Sequence, residues 1–134
     1  MKEILGINHV GIRVKSLESA RAFYEKIGFV FLVGPIGPEP VAVMEHPSGV
    51  NLNLILNADP HSTENVLMDI PEKHPGITHI ALDVSDLDAV QSVLAGEGIA
   101  ITEGPIDLPD GSSMIFIRDQ DNNVIEFHSS TAGS

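Results

Sequence analysis

Ile7-Asn8-His9-Val10-Gly11-Ile12-Arg13-Val14 returns 70 residues on (9 to 79) as Ile77-Thr78-His79-Ile80-Ala81-Leu82-Asp83-Val84. Both stretches alternate with the period of two that marks a half-buried strand. Val10, Ile12 and Val14 share one face, and His9, Gly11 and Arg13 share the other. The register persists: Leu17 meets Leu87, Gly28 meets Gly98, and Gly34-Pro35-Ile36 meets Gly104-Pro105-Ile106. The second copy then gains three residues. At an offset of 73 (53 to 126), Val43 to Leu54 aligns with Phe116 to Phe127, and Asn53 falls opposite Glu126. The chain is a tandem duplication with a histidine at the same place in each half.

Each copy predicts a βαβββ order, an α+β plan. In the first, Ser16 is an N-cap that opens a helix to about Ile27, with Leu17, Ala20, Phe23, Tyr24 and Ile27 as its apolar stripe and Gly28 at the C′ position. Phe29 to Val33 predicts a strand, and Gly34 to Pro40 a Gly/Pro loop. Val41 to Glu45 and Val50 to Leu56 predict a hairpin whose return strand turns Leu52, Leu54 and Leu56 one way and Asn51, Asn53 and Asn57 the other. In the second, Asp86 to Ala95 predicts a helix with Leu87, Val90 and Leu94 inward. Ile99 to Thr102 predicts a strand, and Ser113 to Arg118 with Val124 to His128 the closing hairpin. The expected organisation is one domain over 1–134: module 1 at 5–57, a polar linker at 58–76 with a short strand at Asn65 to Asp69, module 2 at 77–128, and a loose tail at 129–134.

A chain of 134 residues suits one compact domain. The net charge of −12, with only 7 Lys and Arg, argues against nucleic acid, which needs a clustered cationic surface. Cysteine is absent, so disulfides, thiolate metal sites and a Cys nucleophile are excluded. There is neither an apolar run long enough for a membrane span nor an apolar signal at the N-terminus, so a cytoplasmic protein without membrane contact is expected.

Duplicated units tend to pack with approximate two-fold symmetry, which brings matching positions toward the axis. His9, His79 and Glu126 there would outline a metal site. A single strand histidine is ordinarily a hydrogen-bonded core residue. Two at repeat-equivalent positions, with a carboxylate on a third strand, point to a metal. Glu126 on an otherwise apolar strand needs a cation nearby, because burying a lone carboxylate is costly. Two roles stay open for Asn53, ligand or pocket-lining group, and Asn51 on the same face supports either. Arg13 either holds substrate or pairs with Asp83. His128 shares the face of Glu126 at a strand end. His46, His61 and His74 read as surface residues in a turn and the linker.

These features resemble the vicinal oxygen chelate superfamily, which includes glyoxalase I, extradiol dioxygenases, methylmalonyl-CoA epimerase, and fosfomycin- and bleomycin-resistance proteins. The resemblance covers about residues 5 to 128. It rests on His9-Val-Gly-Ile-Arg-Val14, Ala22-Phe-Tyr-Glu-Lys-Ile-Gly-Phe29, Thr78-His-Ile-Ala-Leu-Asp-Val84 and Arg118-Asp-Gln-Asp-Asn-Asn-Val-Ile-Glu-Phe127. It implies sheets curled around a metal cleft, with one divalent ion (Mn, Fe, Ni, Co or Zn) held by His9, His79 and Glu126, and by Asn53 if its amide oxygen ligates. Arg13 and Asn57 stand where glyoxalase I contacts the glutathione part of its substrate, and Asn51 joins them as a candidate substrate contact. The lead expectation is a glyoxalase-I-like lyase or isomerase with Glu126 as base, acting on a small molecule such as a glutathione adduct. The alternatives are an extradiol-type dioxygenase on a 2-His-1-carboxylate site, an epoxide-opening enzyme like fosfomycin-resistance proteins, and a non-catalytic drug-binding protein. A homodimer is expected.

Overall fold

The computed structural model describes residues 1–130; of the tail expected to be loose at 129–134, residues 131–134 lie outside the described residues. The chain divides into two compact units, Met1–Ser62 and a second beginning at Thr63. Each is a four-stranded mixed sheet with one helix.

The first unit runs β1 (Val10–Arg13), α1 (Leu17–Lys26), β2 (Val30–Ile36), β3 (Val41–Glu45) and β4 (Asn51–Ile55). Its sheet order is β1-β4-β3-β2, with β1 parallel to β4 and the other neighbours antiparallel. The second unit repeats this with β5 (His79–Asp83), α2 (Leu87–Gly96), β6 (Glu103–Asp107), β7 (Ser113–Arg118) and β8 (Val124–Ser129), in the order β5-β8-β7-β6. The duplication holds at the level of register. Gly11 faces Asn53 as Ala81 faces Glu126, and Val43 faces Asn53 as Phe116 faces Glu126. Asn53 therefore occupies the place in its sheet that Glu126 occupies in the other.

One face of each sheet is core. Ile12, Val14, Ala42, Met44, Leu52 and Leu54 are buried in the first unit with Ala20 and Tyr24 of α1. The Tyr24 ring meets those of Phe23 and Phe29 edge-on, at centroid distances of 5.1 and 5.9 Å. Ile115, Ile117, Ile125 and Phe127 are buried in the second unit with Leu87 and Leu94 of α2. Each such aliphatic side chain contributes about 1.5–3 kcal/mol on burial. The helices start where expected. Ser16 accepts from the Ser19 amide at 3.2 Å, and Asp86 accepts from the Ala89 amide at 3.0 Å. Gly28, at φ +98°, ends α1.

Three elements differ from expectation. The Gly-Pro pairs do not end strands: β2 runs through Gly34-Pro35 to Ile36, and β6 runs through Gly104-Pro105. Both are edge strands with shifted register, where a missing Pro N–H is tolerated. Ile99 to Thr102 is correspondingly not a strand, and β6 begins at Glu103. Asn65 to Asp69 is a turn rather than a strand, because the Asn65 side-chain oxygen accepts from the amides of Leu67 and Met68 at 3.0 and 3.1 Å. The later part of the linker is tied to the second unit. Arg118 donates to both Asp69 oxygens at 2.8 and 2.9 Å, and Asn65 donates to the Asn122 carbonyl at 3.0 Å. At the far end β8 extends through Ser129, which is buried. Among the described residues no helix is long and apolar enough to cross a membrane.

Candidate metal centre

The faces turned away from the two cores carry the candidate ligands. In the second unit His79 opens β5, and Glu126 lies in the middle of the neighbouring β8. The His79 Nε2 and Glu126 Oε1 atoms stand 3.2 Å apart. Glu126 is only 7% exposed although its carboxylate belongs to the non-core face. The Phe116 ring, opposite Glu126 on β7, packs against the His79 ring at 5.8 Å between centroids, while His79 itself stays exposed.

The other ring nitrogen of His79 is engaged locally, with Nδ1 2.9 Å from Thr78 Oγ1. When Nδ1–H donates to that oxygen, Nε2 presents a lone pair to a carboxylate oxygen. Two lone-pair atoms at that distance are held together only by a proton or a cation between them. Two atoms bound to one ion at ~2.0–2.2 Å are about 2.8–3.6 Å apart for right-angled to tetrahedral geometry. The observed separation falls in that window. The N,O donor pair fits two positions around a borderline or hard divalent ion.

His9 repeats the tether in the first unit. It lies just before β1, exposed, with Nδ1 2.8 Å from Asn8 Oδ1. An amide oxygen only accepts, so Nδ1 donates and Nε2 is the atom left for a ligand. Asn53 is half-buried on β4, flanked by Gly11 and Val43. Each unit thus carries half of the expected ligand set: His9 with Asn53, and His79 with Glu126. Among the described residues no three of His, Asp and Glu gather as a group able to hold a metal. The pair brought together is His79–Glu126.

The expected substrate contacts are engaged within their own unit. Arg13 Nε donates to Asn57 Oδ1 at 2.9 Å, Asn57 Nδ2 donates to Glu39 Oε1 at 3.0 Å, and Arg13 reaches the same oxygen at 3.3 Å. These bonds, from Asn57 first and Arg13 second, hold the Glu39 carboxyl below the usual carboxylate range. Asn51 donates to Glu45 Oε2 at 3.3 Å, across the β3–β4 pairing. Asp83 lies 3.7 Å from His128 Nδ1. His46 is half-buried rather than on the surface, its ring against Phe29 at 5.4 Å. His61 and His74 are exposed.

Sequence reasoning did not single out Glu39, Asn8 or Thr78. Glu39 sits in a turn, where no periodicity tells which way a side chain faces. Asn8 and Thr78 carried a readable signal, a polar residue immediately before each repeated histidine.

The sequence model of the Glyoxalase/Bleomycin resistance protein/Dioxygenase superfamily matches residues 6–127. The chain belongs to this superfamily. Its members typically bind a divalent metal, bind small molecules and commonly form dimers, and some are non-catalytic. Solved structures share the glyoxalase-like fold. A glyoxylase/bleomycin resistance protein/dioxygenase domain from Frankia sp. EAN1pec is 24% identical with a TM-score of 0.80, over 98% of this chain and 96% of that one. The glyoxalase/dioxygenase from Nostoc punctiforme is 20% identical with a TM-score of 0.73, over 95% and 92%. The genomically encoded fosfomycin resistance protein FosX from Listeria monocytogenes is 18% identical with a TM-score of 0.70, over 96% and 95%. At these identities the glyoxalase-like likeness extends to the fold alone.

Proposed function

We propose that this protein is a divalent-metal-dependent enzyme acting on a small molecule with two neighbouring oxygens, of the glyoxalase-I-like lyase or isomerase type. The observation that carries the reading is the His79–Glu126 pair at 3.2 Å, with the Glu126 carboxylate buried. His9 would supply a further nitrogen from the first unit, within one chain or across a homodimer, and Asn53 at most a weak neutral oxygen. The ion (Mn, Fe, Ni, Co or Zn) would supply Lewis acidity toward the substrate oxygens.

The chain's own residues do the rest. Glu126 is a carboxylate in a water-poor setting, the environment that favours a general base. It takes the proton from one substrate carbon and returns it to the adjacent one, so atoms balance without a co-reactant. Arg13 and Asn57 would hold the substrate's tail, as in a glutathione adduct. The cytoplasm is the compartment that suits such a substrate.

A second reading has its own support. His128 lies two residues beyond Glu126 on β8, with Asp83 3.7 Å from its ring. A histidine so placed can move protons in an extradiol-type dioxygenase. The deciding experiment is metal analysis of the purified protein, followed by assays of methylglyoxal plus glutathione and of catechols under oxygen. Lyase activity with a redox-inert ion supports the first reading. Oxygen uptake only with a redox-active ion supports the second. Metal bound without turnover on either leaves epoxide opening or drug binding.

A further inference from the structure

We propose that Glu39 is a built-in carboxylate that closes the Arg13–Asn57 receptor, so that an anionic tail enters only by displacing it. Glu39 is then the residue that sets the charge selectivity of this end of the sheet. Three segments meet here. Arg13 ends β1, Asn57 lies two residues past β4, and Glu39 stands on the turn 37–40 between β2 and β3. The bonds form a closed triangle. Arg13 orients the Asn57 amide at 2.9 Å, and that amide and the guanidinium then donate to one Glu39 oxygen, at 3.0 and 3.3 Å. Two convergent donors, one cationic, on a single oxygen make a carboxylate receptor, and the carboxylate in it comes from the chain itself.

The closure is weak enough to open. The Arg13 and Glu39 side chains are 58% and 54% exposed, and ion pairs in water contribute little net stability. Replacing one carboxylate by another conserves both the charge and the hydrogen bonds, so exchange is close to neutral. Glu39 therefore competes with an anionic tail at high effective concentration, while a neutral tail gains nothing from displacing it. Use of this receptor as a substrate subsite rests on the reading of Arg13 and Asn57 under Proposed function. Closure of the receptor by Glu39 does not.

Acetate tests this without metal or turnover. It is titrated into the full chain at constant low ionic strength, with chloride as the balancing anion, while the Asn57 side-chain amide is followed by NMR. In Glu39→Gln the midpoint should fall about fivefold relative to wild type, the upper worth of an exposed ion pair. Adding Arg13→Gln to Glu39→Gln should abolish the saturable shift. Equal midpoints in wild type and Glu39→Gln, or no saturable shift in either, overturns the proposal. A purely structural role for Glu39 would move the melting temperature and leave the acetate midpoint alone. Loss of metal binding in a separate titration would count against the metal reading and not against this one.

Discussion

Glu126 is held at 7% exposure beside a single imidazole nitrogen, and a carboxylate so placed requires a positive neighbour. Removing either member of the pair should therefore be felt first in metal binding. Calorimetric titration is expected to find His79→Ala and Glu126→Gln severely impaired, and Asn53→Ala affected far less, because a neutral amide is a poor ligand for a hard cation. Equal losses at all three positions would make Asn53 a full ligand. Thr78 tests the tether. Thr78→Val removes the oxygen 2.9 Å from His79 Nδ1 while keeping the side chain's shape. Loss of such an orienting partner ordinarily costs 10–100-fold in metal affinity, so Thr78→Val should weaken binding by about 10-fold or more with melting temperature little changed. An unchanged affinity would mean that the ring is held by its packing against Phe116.

Among the elements, the glycines of the two edge strands are the most exacting. A Cβ on Gly34, at φ +133°, would lie 2.5 Å from Ala42 Cα, and one on Gly104, at φ +95°, 2.8 Å from the Met114 carbonyl oxygen. Gly49 has φ +99° but nothing within 4 Å. Backbone strain alone costs of order 1–3 kcal/mol. Gly34→Ala and Gly104→Ala should exceed that in chemical denaturation, and Gly49→Ala should not. The Arg118–Asp69 clasp gives a pH test. Hydrogen bonding from Arg118 lowers the Asp69 pKa from the usual 3.8. Its contribution to stability is present above that unfolded value and is lost as pH falls through the lower folded one. Asp69→Asn should flatten this part of the acid limb of the melting-temperature profile; an unchanged limb would assign the loss to other carboxylates. The pattern of legibility follows from the same physics. β1, β5, the Ser16 cap, the start of α2 and both hairpins were readable, because period and capping are local signals. Gly34-Pro35 reads as loop, and Gly104-Pro105 falls outside the strand read at Ile99 to Thr102, because edge position, which excuses a proline, depends on sheet order. The Val66-Leu67-Met68 run resembled a strand until the Asn65 side chain claimed its amides. At the site, the repeat exposed His79 and Glu126, whereas Glu39 depended on a turn whose direction no periodicity records.

For the molecule as a whole, superfamily membership and the doubled βαβββ plan account for the fold, and the state of association is the next question. The edge strand β2 leaves Val30, Leu32 and Ile36 half or more exposed, at 56%, 53% and 50%. Apolar edge strands are usually covered, so light scattering at micromolar concentration should give the mass of a homodimer. A monomeric mass would require another means of shielding that strand. Metal analysis should give one ion per chain if each copy contributes one set of His9, His79 and Glu126. A backbone cut between Ser62 and Thr63 would sever no strand ladder, since β1 to β4 lie before it and β5 to β8 after it. Arg118 and Asn122 grip the chain from Thr63 to Asp69, so the new N-terminus would stay fastened to its own sheet. A nicking protease would thus leave both sheet ladders whole, and mixing separately made halves would ask whether the ancestral single-copy state can still be rebuilt by association.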